Sequence, residues 1–277
     1  MGNQSGKTAW VTGASSGIGE ALVKAFVAGG GTAILSGRRV AELERVARET
    51  DAPDRCHILP FDTEDFASLG SMVAQAVAFT GRVDILVNNA GISQRSLAID
   101  TDFLVYERIV SVDLMAPIAL TQALLPHLLA QGSGQLIMIS SVAGKAGVPL
   151  RTAYCAAKHG LVGYSDALRS EIAEQGVKVL VVAPGSVRTN VSRNALNADG
   201  SVRGASDAAI DNGIDPNEVA KIIWSAVDEG KREIVIAEGM EANIPVLRAQ
   251  NPDQLFDMVE AMVANGYAQK LAPKSES

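Results

Sequence analysis

Tyr154 and Lys158 stand four residues apart at the start of a segment with helical spacing, where a helix makes them neighbours on one face. A phenol has a reference pKa of about 10, so at neutral pH it is a poor proton donor to a ketone and a poor acceptor from an alcohol. An ammonium roughly 4–5 Å away, at an effective dielectric of about 20, favours the phenolate by up to roughly 4 kcal/mol. Such a pair can work as a general acid/base near neutral pH. Ser140 and Ser141 end an apolar run just upstream. An isolated Tyr-x-x-x-Lys is most often an ordinary surface pair. The upstream serine and a glycine loop near the start of the chain raise this one above that reading.

That loop, TGASSGIG at residues 12–19, follows a short apolar run and opens a helical pattern. Gly13, Gly17 and Gly19 suit a tight turn, a close backbone approach to a pyrophosphate, and a close helix–strand contact. The N–H groups of Ser15, Ser16, Gly17 and Ile18 would meet phosphate oxygens at the helix N-terminus. The spacing is G-x3-G-x-G, not G-x-G-x-x-G, and alone it is weak evidence. A second glycine motif, GNQSGKT at residues 2–8, is one residue short of a phosphate loop and leads into a strand, so it is rejected. After the second apolar run come Gly37, Arg38 and Arg39. A carboxylate there would bind the ribose 2′-OH of NAD, whereas arginine accommodates the 2′-phosphate of NADP. Arg38 therefore favours NADP(H) over NAD(H).

Positioning these groups requires a sheet. Strand-length apolar runs occur at 8–12, 32–36, 57–60, 85–88, 135–140, 178–183 and 233–237. Between them are helical stripes: Ile18, Leu22 and Phe26; Val40, Leu43 and Ala47; Phe66, Leu69 and Val73; Leu161, Ser165, Leu168 and Ile172. Strands apolar throughout, alternating with amphipathic helices, predict an α/β fold: a Rossmann-like, doubly wound parallel sheet in three αβα layers. Asp215, Pro216 and Glu218 predict the N-terminus of a last helix with a buried stripe of Val219, Ile222, Ile223 and Ala226. Residues 186–214 are polar and aperiodic and are expected to form a substrate lid, with 238–277 as a C-terminal extension of a single domain. Arg188, Arg193 and Arg203 in the lid either select an anionic substrate or are solvated.

A net charge of −7 repels polyanions, so nucleic acid and anionic lipid are not expected partners. Two cysteines, Cys56 and Cys155, give no disulfide framework, and three scattered histidines give no metal-ligand spacing. No apolar stretch approaches the roughly 18 residues of a membrane span, and the polar start lacks a signal sequence. A cytoplasmic protein without metal is expected.

With TGASSGIG, NNAG at 88–91, SSVAG with YCAAK at 140–158, and PGSVRT at 184–189 in this order, the chain resembles the short-chain dehydrogenase/reductases over nearly all of residues 7–237. Its C-terminal DNGIDPNEVAKII and GKREIVIAEG resemble the subgroup of dehydrogenase/reductase member seven, which acts on varied ketones, aldehydes, steroids and retinoids. The resemblance implies that Ser141 bonds the substrate carbonyl, Tyr154 is the acid/base, and Lys158 binds ribose and assists the tyrosine. It implies cofactor contacts from Asn89, Ala90 and Gly91, from Pro184, Gly185, Val187 and Thr189, and from Asp62 near adenine. It also implies a homodimer or homotetramer acting on a small carbonyl or alcohol. Asp113 stands where the family usually has Asn. Either its main chain keeps the family role, or its carboxylate alters the proton relay. An inactive dinucleotide sensor would have lost one of the triad, and an epimerase or dehydratase would need a larger substrate domain.

Overall fold

The structure, a computed structural model, describes residues 2–267. Seven strands form one wholly parallel sheet in the order β3-β2-β1-β4-β5-β6-β7. They are β1 (Thr8–Thr12), β2 (Thr32–Ser36), β3 (Cys56–Ile58), β4 (Ile85–Asn88), β5 (Gly134–Ile139), β6 (Val177–Pro184) and β7 (Glu233–Ile236). The central strands β1, β4 and most of β5 and β6 are buried on both faces, as the continuous apolar runs require. β1 lies between β2, with Thr8 opposite Thr32, and β4, with Ala9 opposite Ile85. The order of the strands reverses there, and a doubly wound sheet opens its binding crevice at that point.

Helices cover both faces. On one, α1 (Gly17–Ala28), α2 (Val40–Arg48) and α8 (Pro216–Asp228) enclose a core around Phe26 and Trp224, whose rings lie 4.8 Å apart. On the other, α3 (Leu69–Thr80), α5 (Ala116–Gln131) and α6 (Thr152–Glu171) enclose Trp10, Leu86, Leu124 and Leu161. The buried Trp10 indole donates to Ser36 Oγ at 2.8 Å, so the largest side chain of β1 carries no unpaired polar group. The expected stripe of α8 is partly wrong. Ile222 is exposed, and Ala220 and Trp224 are buried in its place because α8 packs on α1 through Trp224, which donates to Leu22 O. Phe66 precedes α3 and is exposed, and Val40 is exposed as well.

α4 (Phe103–Val110) runs into a π-helical stretch, Ser111–Met115, and then directly into α5. The resulting helix, Phe103–Gln131, is long and apolar enough to cross a membrane, contrary to the expectation of no such stretch. Its buried residues, among them Ile109, Leu120, Leu124 and Leu128, join the hydrophobic cores, while Phe103, Leu104 and Met115 are exposed. α8 is not the last helix. α9 (Gly239–Gln250) and α10 (Pro252–Ala264) follow β7, and residues 268–277 of the expected extension lie outside the described residues.

The aperiodic segment 186–214 is built around buried charge. Arg95, 2% exposed, donates through Nε to Asp207 Oδ2 at 2.7 Å. Asp207 also pairs with Arg203 and Arg151, and its amide donates to Ser192 Oγ. Single bridges tie Gln94 to Leu196 and Leu196 to Val202, and α7 (Ala208–Asp211) follows. Arg188 pairs with Asp215, Arg193 reaches Gly204 O and Arg203 pairs with Asp207, so each of the three lid arginines has a partner within the fold.

Burial pushes Asp207 up, but the Arg95 charge and hydrogen bonds from Arg95, Arg203 and Ser192 outweigh it and hold the carboxyl at about 2. A carboxyl depressed by folding contributes stability that is complete above its unfolded value of about 4 and lost as pH falls towards 2. Asp207→Ala leaves Arg95 as a buried cation without its anion and should cost about 3–5 kcal/mol in urea unfolding at pH 7. The gap between variant and wild type should shrink between pH 4 and pH 2.

Candidate active site

The carboxyl ends of β1, β2, β4, β5 and β6 open into a cleft of about 800 Å³. Gly13 turns the chain out of β1 with φ +65°, and a Cβ there would stand 2.9 Å from Ala90 Cα. Gly17 has φ +60°, a conformation that favours glycine. Both line the cleft with Ser15, Ser16 and Ile18. Gly19 does not. A Cβ on it would overlap the Gly13 carbonyl and Asn89 Nδ2, so its smallness lets α1 pack on the loop.

Thr12 ties this loop to the NNAG segment. Its Oγ1 accepts the N–H groups of Asn89 (3.0 Å) and Ala90 (3.1 Å), while Asn89 Nδ2 donates to Thr12 O (2.9 Å) and Gly13 O (3.3 Å). Asn89, Ala90 and Gly91 thereby line the cleft beside the glycine loop. Asp62 lies at the same end, and Arg38 reaches it at 3.7 Å from a largely exposed position. The neighbouring Arg39 donates to Ser15 Oγ at 2.9 Å and Ser16 Oγ at 3.1 Å. Two guanidinium groups, not one, therefore border this end of the cleft.

Ser141, Tyr154 and Lys158 line the other end with Pro184, Gly185 and Val187, and Thr189 stands against Gly17. Ser141 caps a short turn, accepting from Ala143 N at 3.1 Å and donating to Pro184 O at 3.3 Å. α6 presents Tyr154 and Lys158 on one face, with Lys158 Nζ 5.5 Å from the centre of the Tyr154 ring. The entry to α6 is fixed by Leu150, a non-glycine residue at φ +67°, whose carbonyl accepts from Ser96 N. That conformation costs about 1–2 kcal/mol and marks a tightly determined corner. Cys155 is buried and accepts from Val148 N, a packing role.

Lys158 is itself buried. Its Nζ donates to Ile139 O at 3.0 Å and stands 3.1 Å from Asp113 Oδ2, while Asp113 Oδ1 accepts from Ile92 N at 2.8 Å. Asp113, in the π-helical stretch, is fully buried. Burial pushes its carboxyl up against the pull of Lys158 and the Ile92 amide. For Lys158, burial works downward and is outweighed by Asp113, which holds the ammonium above the usual lysine range. The lysine can only donate, so its neighbour must accept. A carboxylate serves both Lys158 and Ile92, whereas an asparagine has one oxygen for the two.

A nicotinamide dinucleotide fits this cleft: positive-φ glycines at one end, a basic edge for a phosphate, and hydroxyl and ammonium groups at the other. Residues 7–200 match the family model for the short chain dehydrogenases. The chain is 40% identical over 238 residues to "Dehydrogenase/reductase SDR family protein 7-like" of Anopheles gambiae, covering 84% of this chain and 75% of that one. A short-chain dehydrogenase from Streptomyces avermitilis has a similar structure, with TM-score 0.77 and 31% identity over 95% of this chain and 98% of that one. So does a metagenomic short-chain oxidoreductase in complex with NADP, with TM-score 0.69 and 29% identity over 84% and 98% of the two chains.

The chain belongs to the short-chain dehydrogenase/reductase family. It is an oxidoreductase with a nicotinamide dinucleotide site, and it is also 36% identical over 251 residues to "Dehydrogenase/reductase SDR family member 7B" of Mus musculus, covering 89% of this chain and 78% of that one.

Asp113→Asn should lower stability in urea unfolding, since one oxygen must serve both Lys158 and Ile92 N, and should remove the charge that raises Lys158. Lys158 then loses its proton at lower pH, so the alkaline limb of the pH–kcat/KM profile moves to lower pH. A profile unchanged by the substitution would restrict Asp113 to a structural role.

Proposed function

We propose that this protein interconverts a carbonyl and its secondary alcohol with NADP(H), on a small molecule with apolar substituents. The observation that carries this reading is the convergence of Ser141, Tyr154 and Lys158 on the cleft that begins at the glycine loop. When bound, the reduced nicotinamide supplies hydride to the carbonyl carbon. The Tyr154 hydroxyl gives its proton to the carbonyl oxygen, and Ser141 Oγ turns its hydrogen from Pro184 O to that same oxygen. Lys158 holds the ribose hydroxyls and keeps positive charge beside the Tyr154 ring, with Asp113 and Ile139 O holding the lysine in turn.

The apolar substrate class is supported by Leu104, Val105, Val191, Leu196, Val202 and Ile210, which line the cleft on the side of the lid. Arg38 and Arg39 support NADP(H), because a guanidinium pairs with a 2′-phosphate in charge-assisted hydrogen bonds. The same reading takes the protein to be a cytoplasmic homodimer or homotetramer, without nucleic acid or membrane as a partner. Phe103, Leu104 and Met115, exposed on the α4–α5 helix, support an interface between copies.

Two measurements test the reading. kcat/KM for NADPH should exceed that for NADH with one carbonyl substrate, and Arg38→Ala or Arg39→Ala should narrow the gap through weaker NADPH binding. Equal efficiency with both nucleotides rejects the cofactor assignment. Tyr154→Phe should lower kcat by about 10²- to 10⁴-fold with nucleotide affinity nearly unchanged. Near-normal turnover in that variant would remove Tyr154 from the chemistry.

A further inference from the structure

β6 ends at Pro184, and this strand end with the residues after it forms the nicotinamide end of the cleft: Pro184, Gly185 and Val187 line it and Ser186 does not. Ser186 is held from outside. Its N–H donates to Glu241 Oε2 at 2.6 Å and its hydroxyl donates to Glu241 Oε1 at 2.8 Å, so both oxygens of one carboxylate are engaged by one residue. A Cβ on Gly185 would overlap Glu241 Oε2 and crowd Ala237, so glycine is what lets the carboxylate approach. Gly185 N donates to Ile236 O at 2.9 Å, and Ser186 O accepts from Ile214 N at 3.0 Å. Pro184 O, at the head of this loop, is the acceptor for Ser141 Oγ.

Glu241 sits in the first turn of α9, a helix with no buried residue. Ile244, Pro245 and Leu247 of α9 are half-buried, and the charge-assisted pair of hydrogen bonds holds Glu241 itself against the loop. The adenosine end of the cleft, from Gly13 to Gly17 with Arg38, Arg39 and Asp62, is built from other elements, and Glu241 does not line the cleft.

We propose that Glu241 is a positioning residue for the reaction: it clamps the loop 184–187 against the nicotinamide end of the cleft and, through Pro184, sets the place of Ser141. This inference rests on the dehydrogenase reading above and adds to it a role for the C-terminal helices. Because the clamp acts on one end of the dinucleotide, its loss should separate the two ends.

The test compares binding of the dinucleotide the wild type prefers with binding of the matching ADP-ribose fragment, which lacks nicotinamide, together with kcat/KM on one carbonyl. Glu241→Ala should lower kcat/KM by about 10- to 100-fold, the scale of a misplacement of about 1 Å. It should weaken the dinucleotide and leave the fragment's affinity unchanged. Glu241→Gln, with one oxygen for two donors, should fall between, and it carries the same test if the alanine variant does not fold. Ser186→Ala, which keeps the amide, should lose activity in the wild-type background and lose nothing further beside Glu241→Ala. Unchanged kcat/KM in Glu241→Ala and Glu241→Gln overturns the proposal, and so does an equal loss of dinucleotide and fragment. A wild type that binds neither nucleotide overturns the dehydrogenase reading and this inference with it.

Discussion

An ammonium taken out of water is costly unless acceptors surround it, and much of the site follows from how Lys158 is satisfied. Its acceptors come from separate parts of the chain: the carbonyl that ends β5, the carboxylate of Asp113, and the face of the Tyr154 ring. The sheet supplies the first because β5 ends at Ile139, beside the cleft. The π-helical stretch at Ser111–Met115 carries the second, in a form of helix often found at functional sites. Gly91 completes the arrangement, since a Cβ there would stand 2.9 Å from Asp113 Oδ2.

Most of this was legible in the sequence where one physical cause acted alone. Six apolar runs, at 8–12, 32–36, 85–88, 135–140, 178–183 and 233–237, mark β1, β2, β4, β5, β6 and β7 to within one residue, and in the central strands the cause is burial between two layers, which leaves little choice but apolar side chains. The Asp215-Pro216 start of α8 was legible for a similar reason, since a cap is a local interaction, and Asp215 does accept from Asn217 N. Reading failed where distant elements decide. Trp224 rather than Ile222 faces the core because α1 lies where it does. Arg39 turns towards the glycine loop through hydrogen bonds to serines 23 and 24 residues away, which adjacency in the chain does not reveal. The π-helical stretch left no mark in the apolar period, and Glu241 is one acidic residue among many until the fold brings it to Ser186.

The lid illustrates a different way of ordering a chain. With few apolar residues to bury, residues 186–214 are held by polar groups: Arg95 at its root, Asp207 accepting from three arginines, and Ser192 Oγ accepting from Arg203 and from the Asp207 amide. Burial, with the charge of Arg151 nearby, lowers Arg95 to about 10, against the pull of Asp207. Charge networks of this kind fix one arrangement because each member left unpaired is expensive. The apolar residues that remain, Val191, Leu196, Val202 and Ile210, are thereby free to line the cleft.

The position of β1 at the centre of the sheet has a consequence for how the chain is made. One edge of β1 pairs with β2, which follows it closely, but the other waits for β4, and Thr8 N finds its acceptor, Asp84, 76 residues later. At roughly 5–20 residues per second of synthesis, that edge goes unpaired for several seconds on the ribosome. Asn89 and Ala90, which fasten the glycine loop to Thr12, arrive at the end of the same interval. The nucleotide cradle thus closes only when the central strand is sealed, and until then the nascent chain carries an open strand edge that can pair with another chain.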